Sequence, residues 1–321
     1  MRNKYSKMVN YSNIFKPNNK NLVKCANILK KNGLVALPTE TVYGLAGNAY
    51  STIAVNKIYK IKKRPRKNPL IIHFDSLTSL KKETITNKYL DKLYKRFSPG
   101  PITYVLKIKP SSKISKVLLS QDGTIACRVP ANVHFRKIIK LVGSPLAAPS
   151  ANISNNVSPT SALDVYEEFK NKIAFILDGK KSNIGIESSV INLIGKPKIL
   201  RPGKISISDI KKILKNVTKN NSKKILSPGQ MKLHYSPGIP IYLDQKKFKK
   251  GGALLVFGKS EYKAPNIFYL SKSKSLDEAA KNLYSKFREI KNKGYKNISI
   301  NSIPKYGIGI AINDRLKRAS S

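Results

Sequence analysis

Residues 36–45 read ALPTETVYGL. The apolar residues Leu34, Val35, Ala36 and Leu37 predict a buried strand, and Pro38 ends it, because proline cannot donate to a strand ladder. Thr39, Glu40, Thr41 and Tyr43 follow at once, and then a glycine. A turn needs one or two such polar residues. Three hydroxyls and a carboxylate within five residues are a surplus, and they mark the end of this strand as a candidate site.

On either side of this stretch, helical and strand patterns alternate. NLVKCANILKKNG before it has apolar residues at helical spacing and a glycine stop. After it come a helix in STIAVNKIYKIKKRP, a strand in PLIIHF, a helix in LDKLYKRF and a strand in ITYVLKI entered through SPGP. TIACRV, PLAAP, IAFILD, SSVINLI and KILRPG predict further strands. HFRKIIKLV, SALDVYEEF and ISDIKKILKNV predict helices, the second opened by a capping box from Ser161 to Asp164. The pattern predicts an irregular lead-in over 1–20 and an α/β domain over 21–217, an open twisted mixed sheet with helices. Residues 218–240, rich in Asn, Ser, Lys, Pro and Gly, predict a linker. Residues 241–321 return to strands and helices and predict a small Rossmann-like unit.

Composition bounds the function classes. The 321 residues carry 62 Lys+Arg against 17 Asp+Glu, a net charge of +45. That excess reads either as a polyanion-binding surface, for RNA or a nucleotide, or as the lysine-rich composition of an AT-rich genome; most of the lysines are assigned to the second. The scarcity of acids sharpens one position: Glu40 is the only acid in the first 74 residues. No apolar run approaches the ~20 residues of a membrane span. The basic N-terminus has no apolar signal segment, although its lack of acids leaves organelle targeting open. Cys25 and Cys127 fit no metal or disulfide spacing. A cytoplasmic, reduced protein is expected.

Three more polar clusters fall at strand ends. Lys62, Lys63, Arg64, Arg66 and Lys67 precede the strand that ends near His73. Cations at a helix C-terminus suit its dipole, but arginine where lysine is the default also offers a planar fork for phosphate. GSPLAAPSANISNNVSPT places Ser150, Asn152, Ser154, Ser158 and Thr160 after an apolar strand, as a capped polar loop or a ligand rim. GIESSVINLIGKPKILRPG puts Glu187, Ser188 and Ser189 before one strand and Arg201 at the end of the next. Ligands of α/β folds bind at strand ends, so these clusters could converge on one crevice. Neither a Ser-His-Asp set, HExxH, Walker A nor GxGxxG is present. Catalysis would then rest on positioning and charge stabilisation.

PTETVYGL, the K-x-R of Lys62 and Arg64 with NPL after it, SPGPIT, TIACRVP, APSAN and ESSVI…LRPG occur in order. Together they resemble the YrdC-like family of threonylcarbamoyl-AMP synthases; HYSP and the C-terminal unit resemble its long, two-domain form. The resemblance implies a sheet around a large positive cavity, of the type that also suits double-stranded RNA. It implies formation of threonylcarbamoyl-AMP and pyrophosphate from L-threonine, bicarbonate and ATP with Mg²⁺, and a separate transferase complex that modifies tRNA beside the anticodon. Whether tRNA binds directly stays open.

By the same resemblance, Thr39 contacts threonine at the cavity floor, with Glu40 and Tyr43 shaping that wall. Lys62 and Arg64 neutralise the ATP phosphates, with Asn68 beside them. His73, Ser150 and Ser188 contact threonine, and Arg128 pairs with its carboxylate. Thr124, Asn152, Ser158 and Arg201 contact the nucleotide. Tyr235 folds back from the linker over ATP, as part of a lid. Two departures, GLAG for a more compact GLG and Ser98 for the usual tryptophan, touch no implied ligand contact. An RNA-binding protein on the same fold is the rival reading, disfavoured by the intact Ser150–Asn152 pair, Arg128 and Tyr235. A carbamoyl-transfer enzyme of hydrogenase maturation would need zinc-finger regions that two cysteines cannot supply.

Overall fold

The computed structural model describes residues 11–219, 234–260 and 263–320. The first domain is built on strands β1 (Ile14–Phe15), β2 (Val35–Leu37), β3 (Gly44–Asn48), β4 (Ile71–His73), β5 (Thr84–Ile85), β6 (Ile102–Ile108), β7 (Thr124–Arg128), β8 (Leu146–Ala147), β9 (Ile176–Leu177), β10 (Ser189–Asn192), β11 (Lys198–Arg201) and β12 (Thr218–Lys219). They form one mixed sheet in the order β1-β9-β2-β3-β8-β4-β7-β6-β10-β11-β12, with β5 beside β6. Its helices are α1 (Asn19–Lys30), α2 (Thr52–Ile61), α3 (Leu77–Glu83), α4 (Lys88–Phe97), α5 (Val133–Val142), α6 (Ala162–Phe169) and α7 (Ile207–Ile213).

The helices start where side-chain caps allow it. Asn18, Ser51, Asn87 and Asn132 each accept a backbone N–H of the first turn, and Ser161 and Asp164 form the expected capping box. Leu22, Cys25 and Leu29 of α1 pack with Phe135, Ile138 and Ile139 of α5 over β2, β8 and β9. Val55 and Ile58 of α2 and Leu90 and Leu93 of α4 join a second core with Ile72, Tyr104 and Ile125. Burial on both sides fixes which edge of the sheet each strand end reaches.

Two segments differ from the sequence expectation. The lead-in is not irregular throughout: β1 pairs in parallel with β9, and Asn13 Nδ2 donates to the carbonyl of Ile173 at 2.7 Å. A two-residue edge strand is too short to show a period. Residues 44–48 form β3, held between β2 and β8, although their two glycines weaken strand propensity. Gly47 packs closely there, since a Cβ would stand 2.9 Å from Leu34 Cδ2 and the leucine tip would have to shift. Within the expected linker, Thr218–Lys219 forms the edge strand β12, residues 220–233 lie outside the described residues, and 234–240 are described.

The second domain has four parallel strands, β13 (Ile241–Tyr242), β14 (Ala253–Phe257), β15 (Ile267–Ser271) and β16 (Ile298–Ile300), in the order β13-β16-β14-β15. Helices α8 (Leu276–Asn292) and α9 (Gly309–Ala319) cover it, as the Rossmann-like reading expects. Helix α8 also lies along the first domain. Its Asp277 pairs with Lys204, its Asn282 and Ser285 accept from Lys181, and its Arg288 donates to the carbonyl of Val157 and pairs with Glu168.

Candidate active site

One edge of the large sheet gathers the polar strand ends. The β2–β3 connection carries Thr39 to Tyr43. His73 and Arg128 are register partners at the ends of β4 and β7. Ser150 bridges Gly44, Ser188 immediately precedes β10, and Arg201 ends β11 opposite Val190. These ends enclose a cavity of about 500 Å³, its open mouth included. Thr39, Arg64, His73, Arg128, Ser150, Ser188, Arg201 and Tyr235, all singled out in the sequence, line it, together with Tyr43.

Each side chain is held by its own local bonds. Thr39 Oγ1 donates to the Val42 carbonyl at 2.7 Å and accepts from the Thr41 and Val42 N–H groups, which fixes the floor loop. Tyr43 Oη donates to the Lys180 carbonyl at 2.7 Å. Arg128 donates from Nε to Gly100 O at 3.1 Å and from Nη1 to Thr41 Oγ1 at 2.9 Å, and its Nη2 pairs with Glu40 Oε1 at 2.7 Å. The lone acid of the N-terminal stretch therefore orients an arginine. His73 packs on Phe135, and its Nδ1 makes no hydrogen bond within the described residues. Burial, with Arg128 adding to it, pushes its pKa well below the usual histidine value, so the ring is neutral.

The cationic wall comes from two strand ends, Arg128 of β7 and Arg201 of β11, and from Arg64 just past the end of α2. Arg64 donates to Asn68 O at 2.9 Å, Asn68 Oδ1 at 2.7 Å and Pro69 O at 2.9 Å; burial lowers its pKa to about 10, and it stays charged. Arg201 donates to Ser188 O and Oγ. Ser188 Oγ in turn lies 2.8 Å from Thr103 Oγ1.

Five expected residues do not line the cavity. Lys62 is fully buried behind Ser150 and Asn152 and donates to both of their carbonyls. Burial foremost, and then Arg64, lowers its pKa well below the usual lysine value. Asn152 donates to Ile153 O and Asn156 O, and Asn68 braces Arg64, so both hold the wall from behind. Ser158 donates to Glu187 Oε1 at 2.6 Å. Thr124 begins β7, four residues before Arg128, which places it about 13 Å along the strand at the opposite end.

Tyr235 closes the cavity from the linker. It is buried, with φ +67, and its ring stacks on His234 at 4.0 Å and faces Tyr284 at 5.8 Å. The Arg315 guanidinium lies 5.3 Å from the Tyr235 ring centre. Ser236 N donates to Asn155 O at 2.8 Å, which seats the segment against the first domain.

Residues 27–203 match the family model described as telomere recombination, the Sua5–YciO–YrdC model, and residues 205–321 match that of the threonylcarbamoyl-AMP synthase C-terminal domain. The chain belongs to the threonylcarbamoyl-AMP synthase family. It is 37% identical over 320 residues to the threonylcarbamoyl-AMP synthase of Pyrococcus abyssi, covering 92% of each chain. It is 34% identical over 328 residues to that of Bacillus subtilis, covering 94% of each. The crystal structure of P. abyssi Sua5 complexed with L-threonine superposes with a TM-score of 0.88 at 34% identity, covering 96% of this chain and 97% of that one.

Within this threonylcarbamoyl-AMP synthase fold, sequence reasoning gave no role to Glu187 and overlooked the C-terminal residues that meet it. Glu187 lines the cavity and accepts from Ser158, from Tyr284 Oη at 3.0 and 3.2 Å, and from Arg315 Nε at 3.0 Å. Burial alone would raise its pKa; Arg315, Arg201 and the Ser158 hydroxyl outweigh that and hold it at about 2. Tyr284 and Arg315 sit on amphipathic helices, where a sequence gives no sign that they face another domain.

Proposed function

We propose that this chain is an L-threonylcarbamoyl-AMP synthase, a nucleotidyltransferase that converts L-threonine, bicarbonate and ATP to threonylcarbamoyl-AMP and pyrophosphate. The observation that carries the reading is the convergence of Arg64, Arg128 and Arg201 with serine and threonine hydroxyls in one cavity, in a chain of this family. A carboxylate and a triphosphate are the two anions such a cavity would need to hold apart.

Arg128, fixed by Gly100, Thr41 and Glu40, takes the threonine carboxylate. Thr39, His73, Ser150 and Ser188 surround its amine and hydroxyl. A neutral His73 accepts a hydrogen bond without adding a further positive charge beside Arg128. Arg64 and Arg201 face the phosphates. Lys62, Asn68, Asn152 and Ser158 act from behind them, Lys62 by tying the Ser150–Asn152 loop to the arginine wall. The threonine amine, once deprotonated to its neutral form, attacks the carbon of bicarbonate. The C–N bond forms, one C–O bond breaks, and the oxygen leaves as water with one amine proton and the bicarbonate proton, giving the carbamate. A carbamate oxygen then attacks the α-phosphorus, and the bond to pyrophosphate breaks. The arginines stabilise the charge that gathers on the leaving group.

Mg²⁺ enters as part of the nucleotide substrate. The carboxylate lining the cavity is Glu187, already engaged by Arg315, and no group of three or more His, Cys, Asp or Glu side chains among the described residues could cage a metal. That donor set fits a cation held by phosphate oxygens and water. Tyr235 serves as part of a lid, because both the carbamate and the mixed anhydride hydrolyse if water enters. The product passes to a tRNA-modifying transferase in the cytoplasm. Direct tRNA contact would use the lysine-rich surface and would weaken steeply with salt.

The test is pyrophosphate release from ATP and Mg²⁺ by the purified protein, with threonine and bicarbonate withheld in turn. Release that requires both supports the reading. Release that ignores threonine overturns it.

A further inference from the structure

Arg315 is the largest fully buried side chain of the described residues, and it comes from the C-terminal domain. Its Nε pairs with Glu187 Oε2 at 3.0 Å, and its Nη1 donates to the carbonyl of Pro202 at 2.9 Å. It therefore grips the residues on both sides of the cavity arginine: Pro202 follows Arg201 in the chain, and Glu187 precedes Ser188, to which Arg201 is bonded. Asp314 Oδ2, 2.8 Å away, balances the second face of Arg315.

Glu187 is an awkward neighbour for a nucleotide. It is a buried carboxylate in the wall of the cavity that would hold a triphosphate, and its lone pairs take the hydroxyl proton of Ser158. A buried charge left without its partner recruits another cation or is driven from the site. Arg201 is the cavity cation bonded to the next residue in the chain, Ser188, through its carbonyl and its hydroxyl.

We infer that Arg315 is a positioning residue for the nucleotide: by holding the Glu187 carboxylate on the C-terminal side, it lets Arg201 answer the triphosphate rather than Glu187. The C-terminal domain thereby belongs to the ATP site without touching ATP. This inference rests on the proposed synthase reading for the identity of the nucleotide.

The experiment measures the ATP·Mg²⁺ dissociation constant by calorimetry on the full chain, alongside turnover. The proteins are the wild type, Arg315→Gln, Arg315→Lys, Glu187→Gln and the double variant Arg315→Gln/Glu187→Gln. Loss of the cation alone is expected to weaken ATP binding about tenfold or more, with the threonine KM moving less than about threefold. Removing the carboxylate as well is expected to recover most of that loss, and lysine at 315 to keep most of the affinity. A merely structural bridge would not be rescued by Glu187→Gln, since that change removes a second bond across the interface. If Arg315→Gln does not fold, the lysine and double variants carry the comparison. Unchanged ATP affinity in Arg315→Gln, or a double variant no better than the single, overturns the inference while leaving the synthase reading intact. A wild type that binds ATP yet forms no product overturns the synthase reading, and the binding comparison still judges Arg315. A wild type that does not bind ATP overturns both.

Discussion

Gly185 lies against the backbone of Lys281: a Cβ on the glycine would stand 2.5 Å from Lys281 Cα and 2.6 Å from the carbonyl oxygen of Ala280. The loop that carries Glu187 and Ser188 therefore meets helix α8 main chain to main chain. Gly185→Ala must push the two domains apart, because neither backbone can yield as a side-chain tip would. Its φ of +82 adds to the cost. The expected loss is about 2 kcal/mol or more of stability, with a matching drop in synthase activity. Gly123→Ala is the control. It shares a positive φ of +66 but has nothing within 4 Å, so it should cost only the conformational part, about 1 kcal/mol. Thermal unfolding of the two variants checks this, and equal losses would contradict the close-contact account.

Arg128→Lys should raise the threonine KM about tenfold or more and leave ATP binding nearly untouched. A lysine has one nitrogen, whereas Arg128 uses separate nitrogens for Gly100, Thr41 and Glu40. Steady-state kinetics with each substrate varied in turn separates the two effects. An ATP KM that rises as much as the threonine KM would place Arg128 on the wrong substrate.

Acid stability should carry the mark of Glu187. Its folded pKa, about 2, lies below its ordinary 4.5. A depressed carboxylate stabilises the fold above its unfolded pKa, and that contribution fades as pH falls from about 4.5 toward about 2. Denaturant unfolding of wild type and Glu187→Gln should thus differ most above pH 4.5 and converge below it. A gap independent of pH would mean that the carboxylate is not ionised in the fold.

Cys25 and Cys127 are wholly buried, and burial raises both thiol pKa values. Neither should react with a thiol reagent in the native protein, and both should react on unfolding. Rapid labelling of the folded chain would show that α1 or β7 opens, since these elements hold the two residues.

The cavity was legible where polar residues exceed what a turn requires. Thr39 and Ser150 follow apolar strands, Ser188 precedes one and Arg201 ends one, and the sheet brings those ends to one edge. The bracing residues were not legible in that detail. Lys62 is expected, from its K-x-R pairing with Arg64, to face the ATP phosphates, and only the fold shows it buried against the Ser150 and Asn152 carbonyls. Glu187 and Arg315 are 128 residues apart, and each has an ordinary local explanation as a loop acid or a helix-surface cation. Strand β3 hid behind its glycines, because its stability comes from neighbours on both sides rather than from its own residues. The expected closure of residues 218–240 over the site can be followed only from His234 onward, where Tyr235 reaches the cavity.

In the proposed reaction a carbon from bicarbonate joins threonine to the adenylate. The most direct measurement supplies ¹³C-bicarbonate with threonine, ATP and Mg²⁺ and determines the mass of the nucleotide product. Threonylcarbamoyl-AMP shifted by a single ¹³C, formed together with pyrophosphate, is the expected product. A product of threonyl-AMP or AMP without the label would contradict it.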